Sequence, residues 1–202
     1  TSDERSRPKP ISTEDFVKRI EECADNRDIK GAMFLDREMR RAKLRRNKDT
    51  YIQLLRACKR SIPSDWKQSL RLLNDCKQDH RRIVDVDIYT EVVNACGRGR
   101  KLDKVWEVFE EMMEADIIPN AKAMCSLISF CGRLGRDIDG VERATALMED
   151  LKETQHLVMD TPLSTALIYS YAGFGEWKRA EEVYQDYKHA QRTAQAPLTA
   201  WP

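Results

Sequence analysis

Ile88-Tyr89-Thr90-Glu91-Val92-Val93 opens the stretch that decides the fold of this 202-residue chain. The stretch continues through Gly97, Val105, Phe109, Met112 and Pro119-Asn120. A second stretch carries apolar residues at the same offsets, from Leu163-Ser164-Thr165-Ala166-Leu167-Ile168 through Gly175, Ala180, Tyr184 and Tyr187. Self-similarity at a period of about 35 residues is the signature of a solenoid or another repeat array.

Each repeat contains two amphipathic helical patterns. In residues 86–120, one apolar stripe consists of Tyr89, Val92, Val93 and Cys96, and the next consists of Val105, Val108, Phe109 and Met112. Steps of three and four residues place each stripe on one face of a helix. Gly97 and Gly99 separate the two patterns, and Pro119 stops the second one. The repeat therefore predicts a helix, a short turn and an antiparallel helix.

Five repeats fit this register: 13–47, 48–85, 86–120, 121–160 and 161–195. Four of them carry a cysteine at the eleventh position, namely Cys23, Cys58, Cys96 and Cys131. We expect residues 13–195 to form one continuous all-α solenoid of about ten helices, because each repeat buries its apolar stripes against its neighbours. Residues 1–12 are predicted to be a disordered lead-in, and residues 196–202 a short tail.

The six cysteines favour neither a zinc site nor disulfides. No Cys-x-x-Cys pair occurs, and the three histidines do not pair with cysteine at zinc-finger spacing. Equivalent positions on stacked helices lie about 8–10 Å apart, beyond the ~7 Å Cα separation that a disulfide allows. We expect the cysteine column to fill the apolar core, which favours a reducing compartment.

The net charge of +1 hides an asymmetry along the chain. Residues 1–100 contain 24 Lys+Arg and 17 Asp+Glu, a net charge of +7, whereas residues 101–202 contain 11 and 17, a net charge of −6. The N-terminal half is therefore predicted to attract polyanions and the C-terminal half to repel them. No apolar run approaches the ~18 residues that predict a membrane span.

These motifs resemble the pentatricopeptide repeat. That family places a Tyr-Asn-x-Leu-Ile stretch early in the first helix, Ala-x-x-x-Phe-x-x-Met in the second helix and Pro-Asp at the end. The matching residues here are Tyr89-Thr90-x-Val92-Val93, Leu54-Leu55, Leu127-Ile128, Leu167-Ile168, Ala32, Ala144, Ala180, Phe109-x-x-Met112 and Pro119-Asn120. The resemblance covers residues 13–195. It implies a right-handed superhelix lined by first helices, RNA as ligand, and a mitochondrial or chloroplast location.

The resemblance also implies that each repeat reads one RNA base through its fifth and last residues. The resulting base-reading candidates are Thr90 with Asn120, which matches a family pair associated with adenine, together with Thr165, Asp85 and Asp160. The fifth positions of the other repeats hold Val17, Ile52 and Cys125, which offer no good hydrogen-bonding group to a base. Sequence-specific reading across the array is therefore predicted to be weak.

The second position of each repeat opposes RNA binding. Members of the family that read RNA usually hold an apolar residue there, so that bases lie between successive ones. Here the position holds Glu14, Asp49, Asp87, Lys122 and Pro162. Three carboxylates beside a phosphate chain would repel it.

A row of arginines favours RNA binding. Arg60, Arg98 and Arg133 all occupy the thirteenth position of their repeats, near the end of the first helix. Such a row is predicted to contact successive phosphates without reading sequence. The alternative is that these cations only stabilise helix C-termini through the macrodipole, and both interpretations stay open.

A second basic cluster joins the first two repeats. It consists of Arg40, Arg41, Lys43, Arg45, Arg46 and Lys48. Six cations in nine residues can meet RNA phosphates or an acidic protein surface. The alternative is a solvated helix end.

The sequence predicts no enzyme, no cofactor and no metal site. His80, His156 and His189 fall in different repeats without an evident acid or nucleophile, and no Gly-rich phosphate loop follows a strand. Two functions remain. The first is association with single-stranded RNA, in an organellar ribonucleoprotein. The second is a scaffold that binds protein subunits of a large organellar complex and does not read RNA.

Overall fold

The computed structural model describes residues 12–195, which form ten α-helices, one short 3-10 turn at Arg81–Ile83 and no strand. The helices are α1 (Thr13–Asp25), α2 (Ile29–Arg41), α3 (Lys48–Arg60), α4 (Trp66–His80), α5 (Val86–Arg98), α6 (Leu102–Glu114), α7 (Ala121–Leu134), α8 (Asp139–Gln155), α9 (Thr161–Gly173) and α10 (Trp177–Gln195). The predicted all-α fold of paired helices is confirmed. The predicted tail, and the lead-in before Ser12, lie outside the described residues.

A capping side chain precedes the first helix of every repeat. Helices α1, α3, α5, α7 and α9 begin at the first residue of the five sequence repeats. The residue before each one accepts a hydrogen bond from a backbone N–H in the first turn; these caps are Ser12, Asn47, Asp85, Asn120 and Asp160. Because Ser, Asn and Asp are the favoured N-caps, each contributes about 1 kcal/mol to the start of its helix.

The chain divides into two compact units, Thr1–Gly99 and Arg100–Pro202. We call them the N-terminal unit and the C-terminal unit. The division falls inside the third repeat, whose helix α5 belongs to the first unit and whose helix α6 belongs to the second. That all five repeats form one continuous array stays a prediction.

In the N-terminal unit the first helices pack side by side. Helix α3 contacts α1 on one side and α5 on the other, while α2 packs on α1 and α4 packs on α3 and α5. The apolar stripes predicted from the sequence form the buried core, which includes Ile20, Tyr51, Leu54, Leu72, Tyr89 and Val92.

A buried arginine lies within this unit. The side chain of Arg46 is only 4% exposed. Its guanidinium donates to Asp79 at 2.5 Å and to Asp75 at 3.4 Å, and it lies 4.6 Å from the centre of the Tyr51 ring. The hydrogen bond from Arg46 holds the pKa of the Asp79 carboxyl below its ordinary value. Arg46 therefore fixes the loop after α2 to α3 and α4 by charge and stacking.

In the C-terminal unit α7 and α9 approach closely. Helix α7 also contacts α6 and α8, and α9 contacts α8 and α10. At the crossing, a Cβ atom built on Gly132 would lie 2.9 Å from the Cα of Ser170. Ser170 Oγ donates across the same contact to the Ile128 carbonyl at 3.2 Å. The glycine allows the two backbones to come this near.

All six cysteines are free. Of the cysteine column, Cys58, Cys96 and Cys131 are buried, and Cys23 is half-buried. Burial raises the pKa of the Cys58 and Cys131 thiols to about 12. These side chains therefore occupy the core as neutral, apolar groups.

Replacing Arg46 should destabilise the N-terminal unit. R46A would remove a buried cation from beside the half-exposed Asp75 and Asp79, so we expect a loss of about 1–3 kcal/mol in the free energy of unfolding. The exposed neighbour Arg45 provides a control, because R45A should change the free energy of unfolding by less than about 0.5 kcal/mol. Urea unfolding followed by circular dichroism measures both. The R46A deficit should shrink as the pH falls below about 4, where the carboxylates take up protons. An equal effect of the two variants would contradict the assignment.

Adding one methyl group at the α7–α9 crossing should destabilise the C-terminal unit. G132A would force the two helices apart, and we expect it to lose about 1–3 kcal/mol by overpacking. G173A is the matched control, since a Cβ atom at Gly173 would meet nothing within 4 Å. Because alanine favours helix over glycine, G173A should leave the thermal midpoint unchanged or raise it. A destabilised G173A with an unaffected G132A would refute the close approach.

Candidate nucleic-acid interface

An open groove runs between α7 and α9 in the C-terminal unit. Its volume is 520 Å³. We call it the α7–α9 groove; its lining is Cys125, Ser129, Gly132, Arg133, Pro162, Thr165, Ala166, Tyr169 and Ser170. Arg133 is the only charged side chain in this lining. The groove therefore presents uncharged walls with a single cation among them.

The cation of the groove is exposed and held in place. Arg133 Nε donates to the Ser129 carbonyl at 3.1 Å, one turn earlier in α7, and its guanidinium lies 5.0 Å from the centre of the Phe130 ring. It forms no ion pair within residues 12–195. An arginine fixed in this way keeps donors available for a phosphate.

Aromatic and polar groups face the same groove. The side chain of Tyr169 is 75% exposed, which is unusual for a large aromatic residue. Thr165 is also exposed. The Cys125 thiol donates weakly to the Pro162 carbonyl at 3.6 Å, and burial raises its pKa, so it stays neutral. The groove thus offers a flat ring for stacking beside a hydroxyl group.

The first helices of the N-terminal unit are joined instead by ion pairs. Arg60 pairs with Asp25 and links α3 to α1. Lys59 Nζ lies 2.6 Å from Glu91 and links α3 to α5. Lys48 lies 2.9 Å from Asp87 and also pairs with Asp85, which raises its pKa. In this unit, several cations that could bind RNA are instead paired with carboxylates of the same protein.

The acidic second positions are accessible in this unit. Glu14 and Asp49 are exposed, and Asp87 is half-exposed beside Lys48. Only the last of these three carboxylates has a cation placed against it by the salt bridges above. Their repulsion of phosphate therefore persists along this face.

The five base-reading candidates have different environments. Thr90 is buried, and its hydroxyl donates to the Val86 carbonyl at 2.6 Å, so its side chain does not reach outward. That Thr90 reads a base together with Asn120 stays a prediction. Asn120, Asp85 and Asp160 are all N-caps whose oxygens accept backbone N–H groups. Thr165 alone lies open in a groove.

The row at the thirteenth position is also uneven. Arg60 pairs with Asp25, so its charge is partly neutralised within the protein. Arg98 and Arg133 are exposed and form no ion pair within the described part of the chain. The structure brings Arg133 together with Thr165 in the α7–α9 groove.

The basic cluster at 40–48 is not a free patch. Arg46 is buried in its carboxylate network, Arg40 pairs with Asp75 at 3.0 Å, and Lys48 with Asp87. Arg41 pairs with Glu38 at 2.6 Å. Lys43 and Arg45 remain exposed. Acidic residues of α2, α4 and α5 therefore neutralise four of the six cations within the protein.

Tyr169 and Ser129 were not predicted as site residues from the sequence. Both occupy the ninth position of their repeats, four residues after the fifth position on the same helix face. That spacing is a signal that could have identified them. Within residues 12–195, no cluster of three or more His, Cys, Asp or Glu side chains is arranged to hold a metal ion. Over the same part of the chain, every helix is too short or too polar to cross a membrane.

Comparison with known proteins gives consistent matches. A family model for the pentatricopeptide repeat domain matches residues 71–133. Three Arabidopsis thaliana pentatricopeptide repeat-containing proteins are similar: one is 32% identical over 50% of this chain, one is 29% identical over 73%, and one, named as chloroplastic, is 31% identical over 54%. The chain spans only 13%, 26% and 13% of their respective lengths.

Solved structures show the same fold. The pentatricopeptide repeat protein PPR10 of maize, in complex with an 18-nt psaJ RNA element, superposes with a TM-score of 0.72 at 17% identity, over 95% of this chain and 27% of its own. The PPR domain of Arabidopsis thaliana protein-only RNase P 1, in complex with tRNA, gives 0.67 at 17% identity, over 90% and 91%. At this identity the likeness establishes the α-solenoid fold class. Repeat register, family model and solved folds agree, so residues 71–133 are identified as pentatricopeptide repeat sequence within an α-solenoid.

Proposed function

We propose that this chain binds single-stranded RNA through the α7–α9 groove, mainly by charge and stacking and with weak sequence specificity. The observation that carries the proposal is the convergence of Arg133, Tyr169 and Thr165 on one open groove between first helices. A phosphate accepts hydrogen bonds from the Arg133 guanidinium, and a base stacks on the Tyr169 ring. Such stacking is sequence-tolerant, because every base has a π face.

The net negative charge of the C-terminal half does not prevent this contact. Much of it lies on second helices, for example at Glu107 and Glu114 of α6, which are exposed. At physiological ionic strength, exposed charges more than about 8 Å apart are largely screened. The local charge of the groove, set by Arg133, therefore matters more than the total.

Weak specificity follows from the environments of the base-reading candidates. Asn120, Asp85 and Asp160 already use an oxygen as helix caps, and Thr90 is buried. A side chain that is committed to its own backbone has fewer groups left for a base edge. Thr165 is the one candidate placed to contribute a hydrogen bond directly.

The same proposal covers the location of the protein in the cell and its non-enzymatic role. The similar PPR10 and RNase P structures contain RNA, and one similar plant protein is named as chloroplastic. We infer a non-enzymatic RNA-binding role in an organelle. The alternative, a protein-binding scaffold that does not read RNA, has less support, because the similar solved structures whose contents are named hold RNA.

Charge reversal at the groove should weaken RNA binding. We expect R133E to lower affinity for a single-stranded RNA decamer about tenfold at low salt, and to reduce the slope of log K against log salt by about 0.7, the value for one lost phosphate contact. Y169A should cost about fivefold or more, since stacking contributes about 1–3 kcal/mol per base. Fluorescence anisotropy at several salt concentrations measures both effects. K178E, on the exposed side of α10, is the control. Wild-type affinity in R133E and Y169A would refute the proposal.

Replacing the capping carboxylate of Asp160 with an amide distinguishes a capping role of this residue from a base-reading role. D160N keeps a favoured N-cap but adds a donor where the carboxylate only accepts. We expect stability within about 0.5 kcal/mol of wild type and an unchanged order of affinity among RNAs that differ in one base. D160A, which removes the cap, should lose about 1 kcal/mol. A changed base preference in D160N would show that Asp160 reads RNA.

A further inference from the structure

A second groove lies in the N-terminal unit, where α1, α3 and α5 end. Its volume is 340 Å³. We call it the Arg27 groove; its lining is Arg27, Lys59, Arg60, Ser61, Ile62, Pro63, Ser64 and Arg98. The four cations come from the α1–α2 turn, the end of α3 and the end of α5. Cations from three segments that are distant in sequence thus line one groove.

The Arg27 groove keeps an excess of positive charge. Lys59 is paired with Glu91 and Arg60 with Asp25, so two of the four cations are neutralised. Arg27 and Arg98 are exposed and form no ion pair within residues 12–195. Two guanidinium groups therefore remain for a ligand, and arginine favours bidentate contacts with carboxylates and phosphates.

An aliphatic lip borders these cations. It belongs to the turn 61–64, which lies in a repeat of 38 rather than 35 residues. The turn is held by two hydroxyl groups: Ser61 Oγ donates to the Cys58 carbonyl at 2.8 Å, and Ser64 Oγ donates to the Ala95 carbonyl at 2.9 Å. Ile62 is nevertheless 78% exposed, and Pro63 is exposed too. The turn therefore presents apolar surface from a fixed position.

We propose that the Arg27 groove binds an acidic peptide segment of a protein partner, with an apolar side chain of that segment packed on Ile62. The two unpaired guanidinium groups suit carboxylates. The lip distinguishes a protein from RNA, because bases stack on aromatic rings or guanidinium planes and gain no such contact from isoleucine and proline. Burying an exposed aliphatic side chain against another one is favourable.

This site is independent of the proposed RNA contact. It lies entirely in the N-terminal unit, whereas the α7–α9 groove lies in the C-terminal unit. R133E should therefore leave peptide binding unchanged. A failure of RNA binding would not remove the peptide site, and the reverse also holds.

Two labelled peptides and one RNA test the proposal by fluorescence anisotropy. The first peptide carries glutamates around two leucines, the second has serines in place of the leucines, and the RNA is an oligouridine of equal charge. We expect the leucine peptide to bind at least about fivefold more tightly than the serine peptide. I62S should abolish that difference and leave the serine peptide unaffected.

Charge variants complete the experiment. R27E and, as a second variant, R98Q should each weaken both peptides at least about threefold. R71E, an exposed site on α4 away from the groove, is the matched control and should bind both peptides as wild type does. The proposal is overturned if I62S binds both peptides like the wild type. It is equally overturned if oligouridine displaces the leucine peptide and R27E weakens the RNA as much as the peptide, since the groove would then be a phosphate site.

Discussion

The hydrogen bond from a backbone N–H to the side chain that precedes each first helix is the interaction on which the rest of this structure depends. It is made at Ser12, Asn47, Asp85, Asn120 and Asp160. A cap fixes the residue at which a helix starts, and a helix of 3.6 residues per turn then assigns every later residue to a face. The fifth, ninth and thirteenth positions share one face of the first helix in each repeat for this reason. The same phase turns the apolar stripes into the core.

Although the first helices start at equivalent residues in both units, the two units differ in the side chains that lie between neighbouring first helices. In the N-terminal unit, opposite charges such as Arg60 and Asp25 bridge the helices. In the C-terminal unit, the close contact of Gly132 with Ser170 brings the backbones together, and the groove beside them has Arg133 as its one charged lining residue. The same helical-hairpin repeat can therefore present either a face whose charges are paired with one another or a face with an open groove. A few side chains at equivalent positions of the repeats determine which of the two it presents.

The helices were predictable because their signals are local. Steps of three and four residues, together with Gly97 and Pro119, mark helices within a single repeat. The ion pairs were not predictable in this way, since Arg46 finds Asp79 and Lys48 finds Asp87 across 33 and 39 residues. A basic run in sequence says nothing about which carboxylates a neighbouring repeat will bring to it. Arg46 was therefore expected in solvent, yet it is buried.

The candidate site was partly predictable for the same reason. Arg133 and Thr165 were identified from their positions in the repeat, and both line the α7–α9 groove. Tyr169 was missed, because a tyrosine in an apolar helix is ordinarily assigned to the core, and only packing shows that it faces outward. Thr90 shows the opposite error: its position suggested an open hydroxyl, but its neighbours cover it.

The buried cysteine column has a chemical consequence of its own. A thiol must lose its proton before it reacts with peroxides or disulfides. Burial raises the pKa of the Cys58 and Cys131 thiols, so both remain protonated at neutral pH. The protonated thiols that fill this part of the core are therefore poor nucleophiles. The repeat can therefore use cysteine as a packing residue without making its fold sensitive to the redox state of its surroundings.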